Sequence, residues 1–290
     1  MAKKVAIHDY ITPITRILDE RNAERPAKLR RLIHCARKIN NRHLYRHHWE
    51  KTVERLLEPN WRKRVARFDP AEWQETAKLV WSRAADILGP VPPPELILFP
   101  GFGRFNGRVY QLDRKPIIGC SPDFPQTTGR NLSVLLAHEF AHFTRWRMAG
   151  ARCDDVPINV LIYEEGWAVW LSGRILPEYE RSRLIMSRLH KSIGLADPMG
   201  GYFHWCRQNL KMLARASQKV LRSKKHRDLG RFFQCLRFKG EDTPIRTGYY
   251  LGFRLIEMLS KRMSPRELLR ARPSPKQISE WLDELVQATE

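Results

Sequence analysis

One stretch of the chain, residues 131–150, limits the possible folds more than any other, because it sets two histidines and a glutamate into an apolar run. His138, Glu139 and His142 form the pattern H-E-x-x-H, and the run around them predicts a buried helix. Histidines four residues apart on a helix project from one face, so both imidazoles can reach a single zinc ion. Burying two histidines and a carboxylate together costs several kcal/mol unless a partner such as a metal satisfies them. The pattern therefore favours a metal site over a packed core.

The same stretch carries signals for both ends of the helix. Asn131 and Ser133 are candidate N-terminal caps, and Gly150 is a candidate stop. Glu139 lies on the face next to that of the histidines, within reach of a metal-bound water without being a ligand itself.

Composition sets broad bounds on the class of protein. The 290 residues, of which 42% are hydrophobic, suffice for one large domain or two modest ones. No apolar run is long enough to predict a transmembrane helix, and the first residues lack the apolar core of a secretory signal. The five cysteines are scattered and never form a C-x-x-C pair, which predicts free thiols in a reducing cytoplasm.

The net charge is +21, from 52 Lys and Arg against 31 Asp and Glu. A field of this sign attracts polyanions, so nucleic acid, an anionic membrane surface and acidic proteins are all compatible partners. A solvated basic surface without a dedicated partner is equally compatible.

Residues 1–68 predict a basic N-terminal helical segment, with apolar positions at steps of three and four and breaks at Pro26 and Pro59. His43, His47 and His48 cluster within it. No carboxylate stands between these histidines, so a basic helix face is the simpler interpretation than a second metal site.

Residues 69–290 predict a second domain. It begins with a helix capped by Asp69 and Pro70 that ends at Gly89, followed by three strand-like segments within residues 95–122. Gly101, Gly103 and Gly107 separate the first two segments as a hairpin or loop. We therefore expect an α+β fold that is mostly helical, with a small antiparallel sheet directly before the H-E-x-x-H helix. The edge of such a sheet can accept an extended peptide.

A later apolar segment, residues 161–176, predicts a second buried helix with two adjacent acids, Glu164 and Glu165. A catalytic zinc takes three protein ligands and leaves a fourth position open, so one of these carboxylates is a candidate third ligand. Residues 177–237 predict basic helices with a loop at Gly200 and Gly201. Residues 246–263 predict a final buried helix that includes Tyr249 and Tyr250.

Three segments together resemble the gluzincin group of zinc metallopeptidases, and in particular bacterial predicted zinc-dependent proteases of a domain-of-unknown-function family. The gluzincin pattern runs H-E-x-x-H, then E-G-[aromatic]-A, then Y-x-x-G on a later helix. This chain has, in that order, His138 to His142, Glu165-Gly166-Trp167-Ala168 and Tyr249-Tyr250-Leu251-Gly252. The resemblance covers roughly residues 90–262.

The resemblance implies a role for each matching residue. His138, His142 and Glu165 are expected to bind one Zn²⁺ ion, and Glu139 to act as the general base that activates the zinc-bound water. Tyr249 is expected to donate a hydrogen bond to the oxyanion of the tetrahedral intermediate. Glu164 in place of Glu165, and Tyr250 in place of Tyr249, are the alternatives. The implied activity is a zinc-dependent peptidase acting on a peptide or protein.

The chain departs from the gluzincin pattern in three respects, one of which is a separation between His142 and Glu165 that exceeds the usual one in aminopeptidases. Val169 stands where some members carry a second carboxylate, and the G-A-M-E-N type motif that binds a free amino terminus is absent. The specificity for peptides is therefore open, as is the choice between endo- and exopeptidase. A different class of function is a nucleic-acid-associated basic protein that uses this fold as a scaffold or as a DNA-guided protease. A continuous basic stripe would favour that alternative.

Overall fold

The computed structural model describes residues 5–20, 23–37, 49–102, 106–112, 115–124, 129–151, 155–179, 198–233 and 246–289. The chain forms two compact units, one of Met1–Ser82 and Pro92–Glu139 and the other of Arg83–Val91 and Phe140–Glu290. The boundary that the sequence predicts between residues 68 and 69 stays a prediction. The described residues are mostly helical, with one small sheet, as expected for an α+β fold.

The sheet belongs to the first unit and has four strands. They are β1 (Ala6–Asp9), β2 (Glu95–Leu98), β3 (Gly107–Leu112) and β4 (Lys115–Cys120), in the order β1-β2-β4-β3. The pairs β1–β2 and β2–β4 are parallel, and β3–β4 is antiparallel. Ile97 of β2, Ile117 of β4 and Phe99, which directly follows β2, form a small buried hydrophobic cluster at the sheet.

Two predictions about this region are wrong. The sheet is mixed, because an N-terminal strand joins it in parallel, whereas an antiparallel sheet was expected. Residues 6–9 are that strand, within the segment predicted to be helical. Four residues with alternating exposure are too short to show a clear period of two, and their partner lies about 90 residues further along the chain. Between the first two predicted strands a hairpin or a loop was expected, and the pairing of β2 with β4 rather than β3 excludes the hairpin.

Helices make up the rest of the first unit. They are α1 (Ile11–Asp19), α2 (Arg25–Arg37), α3 (Trp49–Leu57), α4 (Pro59–Val65) and α5 (Pro70–Leu88), the last of which continues into the second unit. The carboxylate of Asp9 accepts hydrogen bonds from the backbone N–H groups of Ile11 and Thr12, which explains why the strand gives way to a helix there. Asp69 accepts one from the N–H of Ala71, and Gly89 ends α5 with a φ of 74°, both as predicted.

All regular secondary structure among the described residues of the second unit is helical. After α6 (Arg130–Ala149), which begins in the first unit, come α7 (Ile158–Ile175), α8 (Pro198–Gln208), α9 (Leu210–Gln218), α10 (His226–Phe233), α11 (Thr247–Leu259), α12 (Pro265–Arg270) and α13 (Pro275–Gln287). Gly200 and Gly201, predicted as a loop, lie inside α8. The histidines at 43, 47 and 48 fall outside the described residues.

Helix α6 carries the H-E-x-x-H pattern and ends as predicted, at Gly150 with a φ of 63°. Its start differs from the prediction, since Asn131 and Ser133 lie inside its first turn rather than before it. Gly129, with a φ of 55°, turns the chain into the helix instead.

Among the described residues, no helix combines the length and the apolar character that crossing a membrane requires.

Helices α7 and α11 touch backbone to backbone at two glycines, Gly166 and Gly252. A Cβ built on Gly252 would lie 2.9 Å from the Cα of Gly166 and nearer still to the carbonyl oxygen of Ile162, and one built on Gly166 would overlap the backbone of Gly252. Real Cβ atoms essentially never approach that closely, so only glycine at both positions allows this packing. The two glycines belong to the motifs that contain Glu165 and Tyr249, and their contact therefore fixes the separation of those two motifs.

Replacing Gly252 with alanine is expected to lower the free energy of unfolding by about 1–3 kcal/mol, because α7 and α11 must move apart. Gly201→Ala is the control, since a Cβ there meets nothing within 4 Å. In that exposed helix position, alanine should raise the stability by about 0.5–1 kcal/mol. Urea unfolding followed by circular dichroism compares the two variants with wild type. A Gly252→Ala variant as stable as Gly201→Ala would contradict the proposed steric limit.

Candidate metal centre

Three of the side chains singled out in the sequence lie together. One ligand atom from each of His138, His142 and Glu165 lies within 4.8 Å of the other two, and within the described part of the chain this is the group that could hold a metal ion. His138 and His142 are one turn apart on the continuous helix α6, and Glu165 is on α7. His142 is 6% exposed, and the other two are half-buried.

The donor set, and the one distance between His142 and Glu165, suit a tetrahedral metal ion such as zinc. The Nε2 of His142 and the Oε2 of Glu165 are 3.4 Å apart. Two ligands that each lie about 2.0–2.1 Å from a tetrahedral zinc ion are roughly 3.3 Å from one another. Two imidazoles and one carboxylate also form a ligand set known from catalytic zinc sites, in which the fourth position stays open.

Helix α7 is held to α6 next to these ligands by Trp167. Its indole nitrogen donates a hydrogen bond of 3.1 Å to the carbonyl oxygen of Ala141, the residue before His142. Trp167 is fully buried, two residues after Glu165. The aromatic residue of the E-G-[aromatic]-A motif therefore fixes the position of Glu165 relative to His142.

The side chain of Glu139, on α6, lies against β3 of the sheet, and Glu139 is 6% exposed. A Cβ built on Gly107, the first residue of β3, would lie 2.8 Å from the Cγ of Glu139 and 2.8 Å from the Cδ1 of Leu135. Burial and then the nearby Glu139 carboxylate raise the pKa of the Cys120 thiol well above its usual value. The glycine at 107 thus gives Glu139 room beside the strand, a role that the sequence did not reveal.

Glu164 belongs to a separate buried network. The Nε of Arg145 donates to both of its carboxylate oxygens at 2.8 Å, and an Nη2 lies 2.7 Å from its Oε1. Arg145 also donates to three backbone carbonyls, those of Leu268, Leu269 and Ala271. Both charged side chains are 1% exposed. This arrangement occupies Glu164 and leaves Glu165 as the carboxylate beside the histidines.

Sequence reasoning did not single out Arg145. The available signal was two buried charges: an arginine in one apolar helix and an extra glutamate in the next. Because burying either charge alone is costly, the two should pair. The large number of arginines on this chain concealed that signal.

Tyr249 lies near the ligands, as its electrostatic surroundings show. Burial and then the Glu165 carboxylate raise the pKa of its phenol above the usual value, while Arg246 and His142 act in the opposite direction. The phenol therefore keeps its proton at neutral pH and can serve as a hydrogen-bond donor.

Tyr250 points into different surroundings. Its ring packs edge-on against Phe203 and Tyr202, with centroids 5.4 and 6.4 Å away, and its hydroxyl accepts a hydrogen bond of 3.4 Å from Arg254. It is 1% exposed. Of the two adjacent tyrosines, Tyr249 is the one whose charge environment includes the candidate ligands.

Comparison of the chain with models of protein families, with curated proteins and with solved structures gives no match. The resemblance to gluzincins rests on the three sequence motifs alone.

The neighbouring residues Glu164 and Glu165 should respond differently to the same substitution. Glu165→Gln is expected to abolish zinc binding, because an amide is a poor ligand for zinc in place of a carboxylate. Glu164→Gln should retain zinc but lower the free energy of unfolding by about 3 kcal/mol or more, because the buried Arg145 loses its counter-charge. Elemental analysis and urea unfolding measure the two effects. Loss of zinc from a normally stable Glu164→Gln variant would show that the two roles are reversed.

Proposed function

We propose that this chain is a zinc-dependent peptidase. The observation that supports it most is the group formed by His138, His142 and Glu165, with Glu139 following His138 on α6 and Tyr249 near the ligands. Zinc, when bound, supplies a water of lowered pKa and polarises a carbonyl group. The chemistry that follows depends on what the side chains of this chain do with protons and hydrogen bonds.

Glu139 is the proposed general base. Its carboxylate is almost fully buried and lies beside the histidines without belonging to the group of three. It accepts a proton from the attacking water and passes that proton to the nitrogen of the leaving amine. Proton transfer by a side chain held in place typically accelerates a reaction by ~10²–10⁴-fold.

Tyr249 is the proposed donor to the oxyanion. Its protonated phenol presents an O–H group near Glu165 and His142. A hydrogen-bond donor aimed at negative charge that develops in the transition state stabilises the transition state more than the bound substrate.

The position of β3 supports a peptide as the substrate. This strand is at the end of the sheet, and its first residue, Gly107, lies against Glu139. A peptide that pairs with β3 by backbone hydrogen bonds would pass Glu139, with its side chains alternating between the two faces. We further propose a cytoplasmic location, in keeping with the free thiols of Cys120 and Cys206.

Zinc binding and hydrolysis should separate in two variants. His142→Ala is expected to lose zinc because it removes one of three ligands. Glu139→Gln is expected to retain near-stoichiometric zinc while hydrolysis falls by about 10²-fold or more, since the amide cannot accept the proton. Elemental analysis gives the metal content, and a mixture of fluorogenic peptides of varied sequence gives the rate.

Wild-type protein that is free of zinc, with a stability that chelators do not change, would refute the metalloenzyme. If the protein binds zinc but hydrolyses no peptide in the mixture, the metal site would be supported and the peptidase activity refuted.

The two adjacent tyrosines offer a matched test of the oxyanion donor. Tyr249→Phe should lower kcat by ~10²–10³-fold with zinc retained, as the loss of other oxyanion donors does. Tyr250→Phe removes the same atom from a side chain that packs against Tyr202 and Phe203, and its kcat should stay close to that of wild type. Equal losses in the two variants would exclude a specific role for Tyr249.

A further inference from the structure

Arg246, the residue before α11, has a left-handed backbone conformation, with φ at 60° and ψ at 24°. This conformation is unfavourable for any residue with a Cβ. Contacts on both sides hold it, because the carbonyl oxygen of Arg246 accepts hydrogen bonds from the hydroxyl of Tyr202 at 2.9 Å and from the N–H of Tyr249 at 3.0 Å. A strained residue that its surroundings fix in place is a reason to look for a function.

The guanidinium of Arg246 lies over the ring of Tyr249. Its Cζ is 4.5 Å from the ring centroid, and its Nη2 is 3.4 Å from the phenol oxygen. The ring of Phe233 packs on Tyr249 with the centroids 5.8 Å apart. A cation–π contact and a hydrogen bond from the same guanidinium therefore fix both the plane of the ring and its hydroxyl.

The hydrogen bond also fixes which way the phenol donates. A guanidinium carries five N–H donors and no acceptor, so the Tyr249 oxygen must be the acceptor of this bond. A tyrosine hydroxyl has a single hydrogen, and in this arrangement it cannot point at Arg246. The direction in which the phenol donates is therefore set by its contact with Arg246.

We propose that Arg246 is a positioning residue for the reaction, which fixes the ring plane and the hydroxyl orientation of Tyr249, the proposed oxyanion donor. This inference rests on the proposed peptidase function and adds to it a residue outside all three sequence motifs. It also explains why a residue with a large side chain occupies a left-handed position that glycine would fill at no steric cost.

The chain contains a matched control on the same helix. Arg254 donates a hydrogen bond of 3.4 Å to the hydroxyl of Tyr250, the tyrosine that follows Tyr249. This bond has the same length as the one from Arg246 to Tyr249. That pair packs among Tyr202 and Phe203 and not beside the candidate ligands. Arg254→Met thus removes an arginine–tyrosine hydrogen bond of the same length, together with an ion pair to Glu257, without touching Tyr249.

The kinetic test uses full-length, zinc-loaded protein and the fluorogenic peptide that wild type cleaves fastest. Arg246→Met is expected to lower kcat roughly 10- to 100-fold, the range seen when residues that orient a site are removed, with KM and zinc content unchanged. Arg254→Met should match wild type. In a Tyr249→Phe background, Arg246→Met should change kcat by less than about twofold, because the group through which it acts is gone.

Two further measurements add readouts that do not depend on activity, namely a melting temperature and an NMR signal. Arg246→Gly should keep a melting temperature close to that of wild type, since relief of the left-handed strain offsets the lost contact, while its kcat falls as in Arg246→Met. In metal-free protein labelled with ¹³C at the tyrosine ε positions, the Tyr249 signal, identified by its absence in Tyr249→Phe, should shift in Arg246→Met and stay in place in Arg254→Met.

The outcomes distinguish this inference from the proposed function. Wild type without zinc or without hydrolysis overturns both. If wild type is active, four results would overturn the positioning role alone. The first two are that Arg246→Met retains the wild-type kcat, or that its loss of kcat adds in full to the loss in Tyr249→Phe. The other two are that its loss of kcat accompanies a fall in zinc content or melting temperature, or that the Tyr249 signal does not shift.

Discussion

The contact between Gly166 and Gly252 is the constraint on which the arrangement of the motifs depends. Helices α7 and α11 approach so closely there that no side chain fits between them. Glu165 directly precedes the first glycine, and Tyr249 lies about one turn before the second. The E-G-[aromatic]-A and Y-x-x-G patterns are far apart in sequence, yet their glycines form a single packing contact. A side chain at either position would separate a candidate metal ligand from the candidate oxyanion donor.

The buried ion pair of Arg145 and Glu164 acts on the same helices in a different way. It joins α6 to α7 and, through carbonyl oxygens of residues 268–271, joins both to the C-terminal helices. A buried pair of this kind adds little net stability compared with an apolar pair of equal volume, but breaking it is costly. Any other register of α7 on α6 would leave the buried charges of Arg145 and Glu164 apart, which is costly. The observed register places the next residue, Glu165, beside His142.

The sequence could predict what depends on local spacing and not what depends on distant pairing. His138 and His142 share a helix face because they are four residues apart, and the ends of α5 and α6 follow from Gly89 and Gly150. The parallel strand β1 escaped prediction because its partner is remote and its pattern is short. The proximity of Glu165 to the histidines needed a resemblance to a known motif order, since periodicity alone could not separate it from Glu164.

Two groups of buried polar side chains in the described part of the chain differ in what surrounds them. Asp123 is fully buried and accepts hydrogen bonds from the indole of Trp61, from two backbone N–H groups and from Ser121, so the chain itself satisfies it. His142 and Glu165 face one another across 3.4 Å and belong to a group of three possible ligand atoms, an arrangement that can hold a shared cation. Nearby, Arg246 adopts a strained backbone to reach Tyr249. Backbone strain of this kind beside a cluster of possible ligands is a reason to propose a function there, and it is not evidence of one by itself.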